Sequence, residues 1–370
     1  MPESSTSHAA EARTESPRRR RTWGVAFGLF LLLGLVGAAF LVFGSASART
    51  DPARGLRALG SALLLRDHDD PTGETLLGMR LWRLGTGAGV GAALAFAGAL
   101  LQGLFRNALA SPSVLGVTTG ASVGAALAVA LAAGVGGAGA AGIASPLGVW
   151  MVPLCAFGGA LAVAAFVHRI AAARGRLSVP TLLLVGLAMN TFLGGLLSLM
   201  QQLLLDRWDA LRSIVAWNLG TLVDRGPWHV GVVWALALPC IAVAPRIGWE
   251  LDLLQAGEDD ARQLGVDIAR VRRVAFLGAT LCTAAAVTVA GQIAFVGLIV
   301  PHLVRLAGIG AHRSLLLVSA LAGAVFLSAA DLLQIVAFDD QLAPGVVMSL
   351  LGGPFFVWLL WKKQREIALW

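Results

Sequence analysis

Apolar residues in this chain come in long runs rather than in a two-residue or three-to-four-residue alternation. Runs of about twenty such residues are the mark of helices that cross a lipid bilayer. They predict spans near 23–43, 84–104, 114–134, 147–168, 180–204, 228–247, 274–290, 292–307, 314–331 and 345–361. Polar residues gather between these runs, most of all in the connections 49–83 and 246–273 and in the first 22 residues. The expected fold class is therefore all-α: a polytopic membrane domain over 23–370 with about ten transmembrane helices, preceded by a disordered tail over 1–22.

Composition agrees with that class. Hydrophobic residues make up 57% of the chain and charged residues 13%, too apolar for a soluble core. The start of the first span has the basic, apolar and small-residue order of a secretory signal, ending in Ser45-Ala46-Ser47-Ala48. Its apolar part is about twice the usual length and further spans follow, so it reads as an uncleaved first helix. Ten spans put both termini on one side of the membrane. Roughly two thirds of the lysines and arginines fall on that side, so the positive-inside rule makes both termini cytoplasmic. The net charge of +7 then reflects topology and calls for no nucleic acid. Cys155, Cys240 and Cys282 each stand alone in an apolar run, a pattern of small core residues rather than of a disulfide framework or a metal site.

The segment Gly291 to Arg305, GQIAFVGLIVPHLVR, crowds two glycines, a glutamine and a proline into an apolar region. Two crossings between Arg273 and Arg305 would need about forty residues plus a turn, more than that stretch holds. One crossing must be short, tilted or unwound, with Gly291, Gly297 and Pro301 as the places for irregularity. Broken backbone at membrane depth survives only where protein or a water-filled cavity covers it. Gln292, Gly297, Pro301 and His302 are therefore candidate wall residues of a path.

Catalytic signatures are missing. A phosphate-binding loop needs Gly-Lys-Ser or Gly-Lys-Thr, and the only lysines are Lys362 and Lys363. The histidines are scattered, no zinc motif appears, and the spans hold almost no acids apart from Asp331 at a helix end. This is a membrane pathway without an energy source, cofactor or metal of its own, and a partner must drive it. The connection Glu250 to Arg273 begins acidic and ends basic, with apolar residues between and glycines at 257 and 265. That is the pattern of two short dipole-complemented helices projecting from the membrane, although a plain solvated connector fits as well.

Four blocks now carry a resemblance. They are Arg80 to Ser122, RLWRLGTGAGVGAALAFAGALLQGLFRNALASPSVLGVTTGAS; Gly257-Glu258 with Ala261 and Leu264-Gly265; Gly291 to Arg305; and Gly345 to Leu360. In that order they resemble the FecCD-type permeases, membrane subunits of ABC importers for iron-siderophores, haem and cobalamin, and the resemblance covers the chain from about residue 75. It implies a type II importer permease of ten helices that pairs with a second permease subunit, a copy or a paralogue. Two cytoplasmic ABC ATPase subunits would dock beneath and a periplasmic or lipid-anchored substrate-binding protein above, in a bacterial cytoplasmic membrane, with a metal chelate such as an iron-siderophore as cargo. Gly257, Glu258, Ala261, Leu264 and Gly265 would form the ATPase-coupling element within 250–273. Arg80 and Arg83 would meet carboxylates of the binding protein.

The chain departs from the family pattern at Trp82, where proline is usual, at Ala108 in the Asn-Pro-Leu-Ala block, at Ile335, where an arginine is expected, and at Gln341 to Gly345, where the proline has moved by one place. These changes touch binding-protein contact more than fold. Polar residues inside spans, among them Gln102, Asn190 and Gln292, serve either solute contact or hydrogen bonds between helices. An ion-coupled secondary transporter and a membrane-embedded enzyme are the competing classes. The dearth of buried carboxylates weighs against the first, and the absence of a converging acid, base and nucleophile against the second.

Overall fold

A computed structural model describes residues 4–43, 71–134, 148–172 and 179–367. Most of the basic connection 49–83 and the arginines at 174 and 176 lie outside the described residues. Every regular element among the described residues is helical. The α-helices are α1 (Ser4–Phe43), α2 (Pro71–Phe105), α3 (Val117–Ala132), α4 (Gly148–Ala171), α5 (Val179–Leu203), α6 (Trp208–Leu219), α7 (Pro227–Ala242), α8 (Ala244–Ala256), α9 (Glu258–Gln263), α10 (Ile268–Ala290), α11 (Val296–Leu306), α12 (His312–Phe338) and α13 (Pro344–Ile367), with a 3-10 turn at Pro112–Leu115 before α3.

Most expected spans fall on one helix, while 228–247 falls on α7 and the start of α8 and 292–307 begins in non-helical backbone. Among the described residues six helices are long and apolar enough to cross a membrane, and seven if α7 and α8, bent by 52°, form one span. The apolar parts of α3, α11 and α13 are shorter, so ten complete crossings do not follow from helix length. Helix α1 is assigned from Ser4 to Phe43, and its part apolar enough to cross a membrane is Arg20–Phe43.

Helix α2 is the axis of the bundle. The apolar window of this helix is wholly buried, and α10, α11, α12 and α7 pack around it. Lipid tails are as apolar as leucine, so helices in a bilayer associate through close packing and hydrogen bonds rather than hydrophobic expulsion. Close packing here is extreme. A Cβ placed on Gly91 would lie 2.1 Å from the Gly323 carbonyl oxygen of α12, and one on Gly98 would lie 1.8 Å from that of Gly297 in α11. Gly124 of α3 meets the Cys155 carbonyl of α4 in the same way, at 2.1 Å. Backbone against backbone leaves no room for any side chain at these crossings.

A larger residue at such a crossing forces the helices apart. Gly98→Leu is expected to destabilise the protein by about 3 kcal/mol, read as a lower melting midpoint in detergent. Gly24→Leu on α1, where a Cβ meets nothing within 4 Å, leaves the midpoint in place.

Candidate functional site

Three parts of the bundle carry the candidate residues, and α10 and α12 join them. At one end lies the hairpin α8–α9. Gly257, with φ +157°, separates the two helices, and Gly265, with φ +82°, ends the turn after α9. The Asp267 carboxylate then accepts from the Arg270 amide and caps α10. Glu258 at the start of α9 pairs with Arg272 of α10 at 2.6 Å, while Arg262 reaches Asp259 at 2.9 Å. Ala261 is fully buried, whereas Leu264 is 63% exposed. Beside this hairpin an open cleft of about 730 Å³ is lined by His168 of α4 and Ala172 just after it together with Glu258, Arg262, Arg272 and Arg273. The Glu258–Arg272 ion pair ties α9 to the start of α10, a helix of 23 residues about 34 Å long.

That helix stops at Ala290. The backbone runs non-helically from Gly291 to Phe295, and α11 then covers only eleven residues. Eleven residues of helix span about 16 Å, less than a bilayer core. The return path is thus part non-helical chain and part short helix, in keeping with a residue count that forbade two full helices. Gly291 has φ +70° and Phe295 φ +66°, a costly conformation for a residue with a Cβ. Gly297 and Pro301, expected as places of irregularity, lie inside α11 instead. Gly297 serves the contact with Gly98, and Pro301 is buried. His302 lies 6.3 Å, ring to ring, from Phe355 of α13.

Partners from several elements satisfy the broken segment. Thr221 N donates to the Ala290 carbonyl at 2.8 Å. Gln292 donates to Ser122 Oγ and to the Thr118 carbonyl, both on α3. A Cβ on Gly220 would come within 2.3 Å of the Gln292 carbonyl oxygen, one on Gly345 within 2.7 Å of it, and one on Gly352 within 2.2 Å of the Phe295 ring. The break is therefore wedged between the end of α6 and the first turns of α13. Of the polar residues with two possible uses, Gln102 donates to the Gly297 and Leu298 carbonyls and accepts from Arg305, and Asn190 bonds the Ser113 carbonyl and Thr119. Both hold helices together. Helix α6, absent from the sequence expectation, is amphipathic and short. Its signal was there in the spacing of Ala210 and Ile214, the two residues it buries.

The third part lies at the other end of α2. Arg80 and Arg83, which the family resemblance assigns to docking of a binding protein, are both buried in this chain, at 6% and 4% exposure. Arg80 Nη1 donates to the Leu41 carbonyl at 2.6 Å, in the last turn of α1, where a cation suits the helix dipole. Arg83 grips two carboxylates: Nε and Nη2 reach Asp331 at 2.8 and 2.7 Å, and Nη1 and Nη2 reach Asp340 at 2.8 Å each. Gln334 bonds both aspartates. Within this chain, two nearby carboxylates offer the planar fork of Arg83 better partners than water does. Sequence could not show this, since Asp331 is 248 positions away. Ile335, standing where the family pattern has arginine, is buried. Asp340 lies in the turn after α12. Burial works against its charge, but the hydrogen bonds from Arg83 and Gln334 outweigh it and hold the carboxyl below the usual carboxylate range.

Removing Arg83 strands two acids. Arg83→Met is expected to cost about 3–5 kcal/mol, and adding Asp331→Asn and Asp340→Asn recovers most of it, measured by thermal unfolding. Because the pKa of Asp340 is depressed on folding, its contribution is present above its ordinary value and lost as pH falls through the folded one. Stability of the parent protein therefore drops below about pH 4, and Arg83→Met lacks that component.

Comparison with known proteins matches this architecture. The FecCD transport family model matches residues 29–362. The chain is 42% identical over 299 residues to the cobalamin import system permease protein BtuC of Halobacterium salinarum, covering 80% of this chain and 75% of that one. It is 38% identical to the ABC transporter permease protein YvrB of Bacillus subtilis, with 80% and 82% covered, and 37% identical to the vitamin B12 import system permease protein BtuC of Salmonella paratyphi A, with 75% and 80% covered. A solved chain described as a metal-chelate type ABC transporter in an inward-facing conformation superposes with a TM-score of 0.75 at 29% identity, over 92% of this chain and 99% of that one. An axis helix packed through glycines, a short-helix hairpin at one end and a broken return crossing thus have a common explanation: the chain belongs to the FecCD transport family, as a non-catalytic, multi-pass permease subunit of an ABC importer.

Proposed function

We propose that this permease carries a corrinoid of the cobalamin class, drawing energy from two ATPase subunits bound at the α8–α9 end and receiving cargo from a binding protein at the Arg83 end. The observation that carries the choice of cargo is the 42% identity over 299 residues to a permease named for cobalamin import; the 37% identical relative is named for vitamin B12. An iron-siderophore, the first expectation from sequence, has only the broader metal-chelate description of the solved neighbour behind it.

In this reading both termini are cytoplasmic, and two permease subunits enclose the path. Residues 250–273 form the coupling element, with Gly257 and Gly265 bounding α9 within it, Glu258 as its tie to α10, Ala261 as its anchor and Leu264 as its exposed contact. Movement of the hairpin travels along α10 to the break at 291–295, where Gln292 and its neighbours form part of the wall. None of residues 291–304 carries a charge, which suits passage of a bulky cargo without tight binding. Arg83 contributes to the outer mouth by shaping the ends of α2 and α12 rather than as a free docking charge.

Proteoliposomes containing the permease, its ATPase subunits and the loaded binding protein provide the test. ATP-dependent uptake of radiolabelled cyanocobalamin, with none of a ferric hydroxamate siderophore, is the expected result; the reverse preference overturns the corrinoid assignment. Glu258→Gln, which keeps the shape of α9 and removes the ion pair to Arg272, is expected to raise ATP hydrolysed per cargo molecule at least threefold. An unchanged ratio removes Glu258 from the coupling path.

A further inference from the structure

A second connection joins the two ends of the molecule, and it does not pass through α10. Helix α12 begins against α8: a Cβ on Gly248 would lie 2.6 Å from the Arg313 Cα. No side chain of its own caps α12. Instead Asp252, on α8, accepts from the His312 amide at 2.7 Å and from the Arg313 amide at 3.3 Å. A carboxylate at a helix N-terminus satisfies free amides and opposes the positive end of the dipole, and here it comes from another helix. The same carboxylate meets His312 Nδ1 at 2.8 Å, while Gln255 of α8 lies 3.3 Å from Nε2. His312 is buried, and its ring fills the notch left by Gly103 of α2, where a Cβ would stand 2.7 Å from it.

Helix α12 then runs unbroken for 27 residues, about 40 Å, and presents Asp331 to Arg83 at its far end. The turn after it supplies Asp340 to the same guanidinium and leads within a few residues to Gly345, which packs on the broken segment. Asp339 and Asp340 both hold left-handed backbone, at φ +56° and +61°, so this turn is fixed in a conformation that side chains disfavour.

We infer that Asp252 and His312 are coupling residues: through the borrowed cap they transmit displacement of the α8–α9 hairpin to α12 as a rigid rod, and so to the Arg83 cluster and the first turn of α13. The two routes arrive at the break from opposite sides, α10 through residue 290 and α12 through Gly345. Asp252 and His312 act by positioning and touch no cargo.

The inference rests on the hairpin being the coupling element, and the test separates the two. In the reconstituted transporter, Asp252→Asn and His312→Gln are each expected to raise ATP hydrolysed per cobalamin imported at least threefold. Because both act through one contact, the double variant stays within about twofold of either single one. A merely structural role lowers hydrolysis and import together, leaves the ratio constant, and overturns the inference; so does a double variant whose effects multiply. If Asp252→Asn fails to assemble, Gln255→Leu, changing only the exposed side of the contact, is expected to raise the ratio about twofold, and an unchanged ratio then decides against the rod. A raised ratio in Glu258→Gln with parent values in the Asp252 and His312 variants removes the α12 route alone. Parent values in all of them remove the coupling reading of the hairpin as well.

Discussion

Contact between bare backbones is the interaction on which the rest of this structure depends. Inside lipid, burying an apolar side chain gains little, so cohesion must come from dispersion at short range and from hydrogen bonds. The glycines of α2 bring Gly323 and Gly297 so near that carbonyl oxygens occupy the space of absent side chains. Once α2, α11 and α12 are held at that distance, Gln102 reaches the Gly297 and Leu298 carbonyls and Arg83 reaches Asp331. Polar chemistry in this bundle is a consequence of the packing, since a few tenths of an ångström would lengthen each of those bonds.

The break at 291–295 and the hairpin at 250–273 answer different demands. The hairpin is tied to its neighbours by polar contacts, the Glu258–Arg272 ion pair to α10 and the cap that Asp252 lends to α12. The break must lie in the membrane without a regular hydrogen-bond ladder. It obtains partners from Thr221 on one side and from α3 on the other, and its positive-φ residues fix the direction of the chain at both ends.

Much of this architecture is legible in the sequence because lipid imposes a simple rule: apolar length. The runs locate the helices, the residue count between Arg273 and Arg305 demands an incomplete crossing, and glycines mark both ends of α9. What sequence hides is pairing across the fold. Arg83 looks like a surface charge until Asp331 and Asp340 are brought beside it, and Asp252 looks like one more acid of a polar connection until α12 arrives without a cap. Gly297 and Pro301 look like helix breakers, yet one is a packing surface and the other is accommodated within a short helix. Helix α6 escapes notice because twelve amphipathic residues between two spans resemble an ordinary connection.

The broken return segment also bears on how the protein is made. Residues 291–295 have no regular helical hydrogen-bond ladder, and α11 is too short to cross a bilayer as an independent unit. Their partners on α3 and in the turn at 220–221 are synthesised earlier in the chain, whereas Gly345 comes later. Chain order thus presents the α3 and 220–221 surfaces before the broken segment and the α13 surface after it.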